Sequence, residues 1–279
     1  MSTTDMSVTD QISSRTMELE RALDDIEGSG AAALRVMELV DNPNTTSHRL
    51  AEAIDLDPIF TAQLLRLANS AGFGMAQRIA TTDHAVSVVG FSAVRSIAAL
   101  LAAGLNNHKH PAPDGFWEHS AASAAGCVAV SARFGIQKGE AFSMGLLHDL
   151  GWAILNNVDP VAHAAITGAL PDTAEQCDLE VAQFGMSHAD AAAQVLRSWN
   201  FPVAFVDAIA THHDRSINDT AHRRVILAGD ALAHLVLSPA DLRTSTAEFE
   251  AMGISPNALT DLANLTAEYT QEILASLPR

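Results

Sequence analysis

The sequence predicts an all-α protein, a two-lobed helical bundle. Three observations predict it. Apolar residues recur at three- and four-residue intervals along most of the chain, the spacing of one face of a helix. No segment carries the apolar–polar alternation of a half-buried strand. The composition is 48% apolar but only 5% aromatic, and it is rich in alanine, which suits helices whose backbones approach closely. A chain of 279 residues is long enough to bury a sizeable core.

Residues 1–15 are polar, rich in Ser, Thr and Asp, and read as a flexible tail. The first helical lobe then covers 16–108 and the second 109–279. Two amphipathic helices are expected between Met17 and Val40, broken near Gly28-Ser29-Gly30, with a turn at Asp41-Asn42-Pro43-Asn44. Leu50, Ala51 and Ile54 mark a helix over Thr46–Asp55. Asp57-Pro58 starts another, with the aspartate as N-cap and proline at the first helical position. It ends at Asn69-Ser70-Ala71-Gly72. A short helix after Thr82 stops at Gly90, and an apolar one runs from about Ala93 to Leu105. Asn106–Gly115, with two prolines and a glycine, is the candidate boundary between lobes. Beyond it helices are expected at 116–134, 139–156, 160–169, 174–184, 188–199, 202–213, 220–237 and 257–276.

Charge narrows the partners. The formal net charge is −17, from 16 basic and 33 acidic residues. Nucleic-acid affinity comes largely from Lys and Arg neutralising phosphates, so a nucleic-acid partner is disfavoured, as is an anionic membrane surface. The longest apolar runs, such as Ser96–Leu105, are too short to cross a bilayer, and no stretch reads as a signal peptide. Cys127 and Cys177 read as reduced, small residues of a cytoplasmic protein.

The chemistry lies in an ordered set of histidines and aspartates in the second lobe. His119 sits in Phe116-Trp117-Glu118-His119-Ser120, and His148-Asp149 in Gly145-Leu146-Leu147-His148-Asp149-Leu150-Gly151. His188 opens a helix, His212-His213 close one, and Asp230 lies in Leu227-Ala228-Gly229-Asp230-Ala231. Neutral imidazole and carboxylate suit divalent iron, manganese, zinc or nickel, as a mono- or dinuclear centre. Asp149 has the position to bridge two ions, and such a pair activates water and clamps a phosphoryl group. Leu146, Leu147, Leu150, Ile154 and Leu155 place the pair near a buried face, where ionisable groups must be paired or metal-bound. Each residue also has a plainer reading. His119 would serve a structural hydrogen-bond network. His212 and His213 would meet a helix dipole. His188 would be a first-turn residue beside a Ser187/Asp190 capping box, and Asp230 would pair with Arg223 or Arg224. His163, His222 and His234 read as surface or structural residues.

These residues, taken together, resemble the HDOD family, a branch of the HD superfamily. The resemblance runs from about residue 17 to 240. It is carried by Leu56-Asp57-Pro58, Leu64 through Gly74, Ala85-Val86, Val89-Gly90, Val94-Arg95 and the second-lobe motifs, with Phe184–His188 and Trp199-Asn200-Phe201-Pro202. It implies an all-α fold with an HD-like second lobe and a role in bacterial signal transduction. Such domains often occur beside cyclic-di-GMP or response-regulator modules. None fits in this chain, so it would act alone or through a signalling protein partner or a nucleotide-type ligand. The related HD phosphohydrolases and HD-GYP phosphodiesterases imply metal ligation by His119, His148, Asp149, His188, His212, His213 and Asp230. Two departures matter. Trp152 stands where the phosphodiesterases often have a phosphate-contacting lysine, and the Gly-Tyr-Pro signature after the double histidine is missing.

Three functions follow in order. The first is a non-catalytic signalling module that keeps the metal-type cluster. The second is a metal-dependent phosphohydrolase, with Asp149 as the catalytic bridging residue. The third is a helix-turn-helix regulator over Thr46–Asn69, which the leucines on its second helix and the acidic charge disfavour.

Overall fold

Small residues decide how the centre of the molecule packs. The structure is a computed structural model that describes residues 31–74, 78–105, 112–169, 174–214, 220–238 and 246–277. No strand occurs among them. The first lobe holds α1 (Ala31–Asp41), α2 (Ser47–Ile54), α3 (Pro58–Ala68), α4 (Thr82–Val89) and α5 (Phe91–Ala102). The Thr46 hydroxyl accepts the Arg49 N–H at the start of α2, and the Asp57 carboxylate accepts those of Ile59 and Phe60 at the start of α3. These bonds satisfy donors that a helix N-terminus otherwise leaves open. Gly90, at φ 84°, breaks α4 from α5 and turns the chain by 107°. Leu50, Ile54, Phe60, Leu64, Leu67, Val86, Val94 and Ile97 form the core of this lobe.

The second lobe is built on α6 (Phe116–Phe134), buried along most of its length. Its middle, Ala121 through Cys127, carries no side chain larger than cysteine. Around it pack α7 (Lys138–Leu147) and α13 (Ala221–Leu237). A Cβ on Gly126 would lie 2.9 Å from the Gly229 Cα, so α6 and α13 meet backbone to backbone. The lobe continues with α8 (Leu150–Val158), α9 (Pro160–Ala169), α10 (Ala174–Phe184), α11 (His188–Ser198) and α12 (Val203–Ala210). The last long helix, α15 (Pro256–Ser276), follows the short α14 (Thr246–Ala251).

α15 ties the two lobes. It packs on α6 and also on α3. Arg66 donates to the Ala275 carbonyl (3.1 Å), and the Ala71 N–H donates to Glu272 (2.5 Å). Lys138 on α7 donates to the Gly72 carbonyl (2.9 Å). A segment expected to belong to the second lobe therefore also covers the first.

Three local expectations change. The single helix expected over 139–156 is two, α7 and α8, divided at His148-Asp149, where Asp149 leaves helical backbone (φ −101°, ψ 18°). The helix expected over 202–213 ends at Ala210, and His212-His213 lie in the turn that follows. α14 is a helix that periodicity did not reveal, being only six residues long. The tail at 1–15, residues 16–30 and residues 106–111 of the expected boundary lie outside the described residues. No single described helix is long and apolar enough to cross a membrane.

Candidate metal centre

The break between α7 and α8 sets the site. Ending one helix at Leu147 and starting the next at Leu150 turns His148 and Asp149 to the same interior point. Gly151 completes the placement, because a Cβ there would sit 2.7 Å from the His188 Cα. Only glycine lets α8 approach the start of α11 this closely.

All seven ligand-type residues singled out above converge. They form two groups, Asp149/His188/His212/His213 and His119/His148/Asp230, and in each the ligand-type atoms lie within 4.8 Å of one another. Asp149 joins them. Its Oδ1 is 3.5 Å from His188 Nε2 and 3.6 Å from His212 Nε2. Its Oδ2 is 3.1 Å from His119 Nε2 and 3.3 Å from His148 Nε2. Asp230 Oδ1 lies 3.2 Å from His119 Nε2 and 3.7 Å from His148 Nε2. Ligands about 2.1 Å from a common tetrahedral or octahedral ion are separated by roughly 3.0–3.4 Å, so these spacings fit metal coordination.

The imidazoles are held in the ligating tautomer. His148 Nδ1–H donates to the Gly145 carbonyl (2.9 Å), and His212 Nδ1–H to the Ile209 carbonyl (2.6 Å). His188 Nδ1–H donates to Glu180 Oε2 (2.7 Å), which also accepts the His188 backbone N–H (2.7 Å). His148, His188 and His212 therefore each turn Nε2 inward, the arrangement that outer partners impose on metal-binding histidines. His188 Nε2 and His213 Nε2 lie 3.1 Å apart, and His119 Nε2 and His148 Nε2 3.4 Å apart. Two ring nitrogens this close share a proton or a cation. His212 Nε2 is buried with no hydrogen-bond partner among the described residues.

Electrostatics points the same way. Burial alone would lower His119, but Asp149 and Asp230 carry it well above the ordinary histidine value. His148 rises too, burial again being outweighed by the same two carboxylates. Burial opposes ionisation of Asp230, yet attraction to His119 and His148 holds it well below the usual carboxylate range. Burial and the neighbouring His213 push His212 down to about 4, which keeps it neutral. The His119/His148/Asp230 group thus gathers protons where two carboxylates call for positive charge, and a cation answers the same demand. The donor set fits one or two divalent ions.

Two contributors escaped sequence reasoning. Glu180 is buried and fixes His188, and Gln176 donates to its other oxygen (2.6 Å). Glu180 lies eight residues before His188, on the preceding helix, and a single acid in a surface-like stretch gives no signal. His234, expected to be surface or structural, has its Nε2 3.5 Å from Asp230 Oδ1 and its ring 5.1 Å from His119. Its one cue was its place one helical turn after Asp230. His222 pairs with Glu140 (3.0 Å), and His163 is buried beside Trp152. The capping box at Ser187/Asp190 is present, and His188 is nonetheless in the cluster. Arg223 donates to the carbonyls of Thr211 and Asp214 rather than to Asp230.

Trp152 forms a wall of the centre. Its ring stacks on His119 (5.7 Å, 25° between planes) and meets His188 edge-on (6.0 Å). His119, His148, Asp149, His188 and His212 are all buried, and His213, Asp230 and His234 are partly exposed.

Comparison with known proteins bears on the family and the fold. The HDOD domain family model matches residues 30–215. An uncharacterized protein of Treponema pallidum (strain Nichols) is 24% identical over 205 residues, 69% of this chain and 38% of the relative. The chain therefore spans little more than a third of that relative's length. Among solved structures, a protein of Shewanella amazonensis SB2B provisionally named a phosphohydrolase superposes with a TM-score of 0.70 at 24% identity, over 93% of this chain and 98% of its own. A protein of Marinobacter aquaeolei VT8 provisionally named for signal transduction gives 0.63 at 23% identity, over 99% and 68%. An HDOD domain protein of unknown function from Geobacter sulfurreducens gives 0.58 at 17%, over 94% and 93%. At these identities the likeness is one of fold.

Proposed function

Since the chain belongs to the HDOD domain family, we propose that it is a regulatory signalling module that holds divalent metal through its His/Asp cluster without turning over a substrate. The observation that carries the reading is Trp152, whose indole stacks on His119 and faces His188 where a phosphate-binding cation would be needed. His188, His212, His213 and Asp149 would hold one ion, His119, His148, Asp230 and Asp149 the other. A bound pair would supply Lewis acidity, but the wall that Trp152 makes leaves a phosphoryl group little room beside it. The centre would then stabilise the fold and a partner-binding surface, as any species that binds only the native state does. The absence of a spanning helix among the described residues and the missing disulfide between Cys127 and Cys177 favour the cytoplasm.

A second reading, a metal-dependent phosphohydrolase, is favoured by one observation: the two oxygens of Asp149 face separate ligand groups, as a bridging carboxylate of a dinuclear hydrolase must. Elemental analysis of protein purified without chelator, followed by assays on cyclic dinucleotides and phosphomonoesters, separates the two. Two ions per chain with no turnover supports the regulatory module. Turnover abolished in the His148→Ala/Asp149→Ala double variant establishes the hydrolase. Absence of metal, with none taken up on titration, refutes both.

A further inference from the structure

The helical hairpin that brings three of the histidines is clamped by the other lobe. α11 starts at His188, and α12 ends just before His212-His213. The two join through Trp199-Asn200-Phe201-Pro202, at the end of the hairpin remote from the centre. An eleven-residue helix is about 16 Å long, so this joint is well removed from any ligand atom. The joint is tightly formed. Asn200 takes a left-handed conformation (φ 55°), and the N–H groups of Asn200 and Phe201 donate to the carbonyls of Arg197 (3.0 Å) and Leu196 (2.9 Å).

Arg95, on α5 of the first lobe, holds this joint from outside. It is 7% exposed. Its Nη2 donates to the Trp199 carbonyl and pairs with Asp41 Oδ1 at 2.7 Å. Its guanidinium lies 4.4 Å over the Phe201 ring. Asp41 ends α1, and its other oxygen accepts from the Asn200 side chain at 3.5 Å. A buried arginine with one carboxylate, one carbonyl and one ring is costly to desolvate and gains only where its partners are fixed. None of the seven residues of the cluster is among these partners.

We infer that Arg95 and Asp41 are positioning residues for the centre, setting the tilt of the α11–α12 hairpin and thereby the metal affinity of the Asp149/His188/His212/His213 group. The inference rests on the metal-holding reading above. It makes the two halves of the centre unequal. His119, His148 and Asp230 hang from α6, α7 and α13, none of which carries a residue of the clamp, although α7 packs on α5. His188, His212 and His213 hang from the hairpin that it does. A change in the first lobe that tilts the hairpin through Arg95 or Asp41 would then be felt chiefly at one ion, which is a route for a signal between lobes.

The test uses the full chain, cobalt(II) alone as probe and visible absorption as readout, with Arg95→Met, Arg95→Lys and Asp41→Asn. One of two cobalt ions should bind on the order of tenfold more weakly in Arg95→Met and Asp41→Asn, the size of a typical coupling between separated sites. The other should keep its affinity and spectrum, and Arg95→Lys should recover part of the loss. A uniformly loosened fold would weaken both ions alike, and that result overturns the inference, as does unchanged binding of both. Asp41→Asn is nearly isosteric and carries the test should Arg95→Met fail to fold. If the native protein binds no cobalt, the metal reading fails, and the inference is decided by the ring NMR signals of the metal-free protein. Shifts at His188, His212 and His213, but not His119 or His148, sustain it, and none at all sinks it.

Discussion

Replacing Glu180 by glutamine tests how the centre is held. The carboxylate is fully buried and accepts three bonds, two from His188 and one from Gln176. Burial would raise its pKa, but the bonds and charge of His188 bring it below the usual value, so it stands as an anion. Glutamine keeps the size and can keep the bonds, with Gln176 flipping to present its oxygen. What is lost is charge. Bonds to charged groups are worth about 1.5–3 kcal/mol and neutral ones about 0.5–1.5. A buried neutral amide is also cheaper to desolvate. The two effects oppose each other in folding, so stability should change by no more than about 1 kcal/mol. They do not oppose each other in metal binding, because a neutral partner leaves His188 a poorer donor. Affinity should fall roughly 10–100-fold, about 1.4–2.7 kcal/mol. Metal titration by calorimetry, alongside urea unfolding of the metal-free protein, measures both. Glu180→Ala is the contrast, since it removes the acceptor of three buried donors at about 1–3 kcal/mol each and should lower stability as well. Native metal affinity in Glu180→Gln would refute the role assigned to the carboxylate.

Other outcomes follow from the same geometry. Gly151→Ala should cost at least about 1–3 kcal/mol, because the added methyl meets backbone of His188 that cannot rotate away; a denaturation midpoint equal to the native one would contradict the close approach of α8 and α11. Thiol labelling of the native protein should stop at one group. Burial, aided by the charge of Asp230, pushes the Cys127 thiol far up, so raising the pH does not unmask its thiolate, whereas Cys177 is partly exposed; mass spectrometry showing native modification of Cys127 would overturn this. Trp152→Lys should open the wall beside His119 and supply a cation, raising any phosphodiesterase turnover by about tenfold or more; a metal-loaded variant as inactive as the native chain would show that Trp152 is not what closes the centre.

Much of the fold could be read from residue order. Asp57-Pro58 marked the start of α3, Gly90 the break between α4 and α5, and Ser187 the cap of α11, because caps, prolines and glycines act through bonds within a few residues. The family could be read as well, since its motifs are short and contiguous. The division of α7 from α8 could not, because Leu146, Leu147, Leu150 and Ile154 suit one long helix as well as two.

The sequence by itself determined which side chains were available to bind a cation and on which helices they ride. Imidazole and carboxylate carry that chemistry wherever the chain places them. Only the tertiary structure decided that Asp149 faces two groups, that Glu180 orients His188, that His234 joins Asp230, and that Arg95 of one lobe clamps the hairpin of the other. The meeting of Asp149 with both groups and of Arg95 with the hairpin depends on distances between residues tens of positions apart, and the roles of Glu180 and His234 depend on where their helices then lie. Such distances are set by how closely helices pack, through the small faces of α6 and the glycines at 126, 151 and 229, and periodicity within one helix carries no information about them.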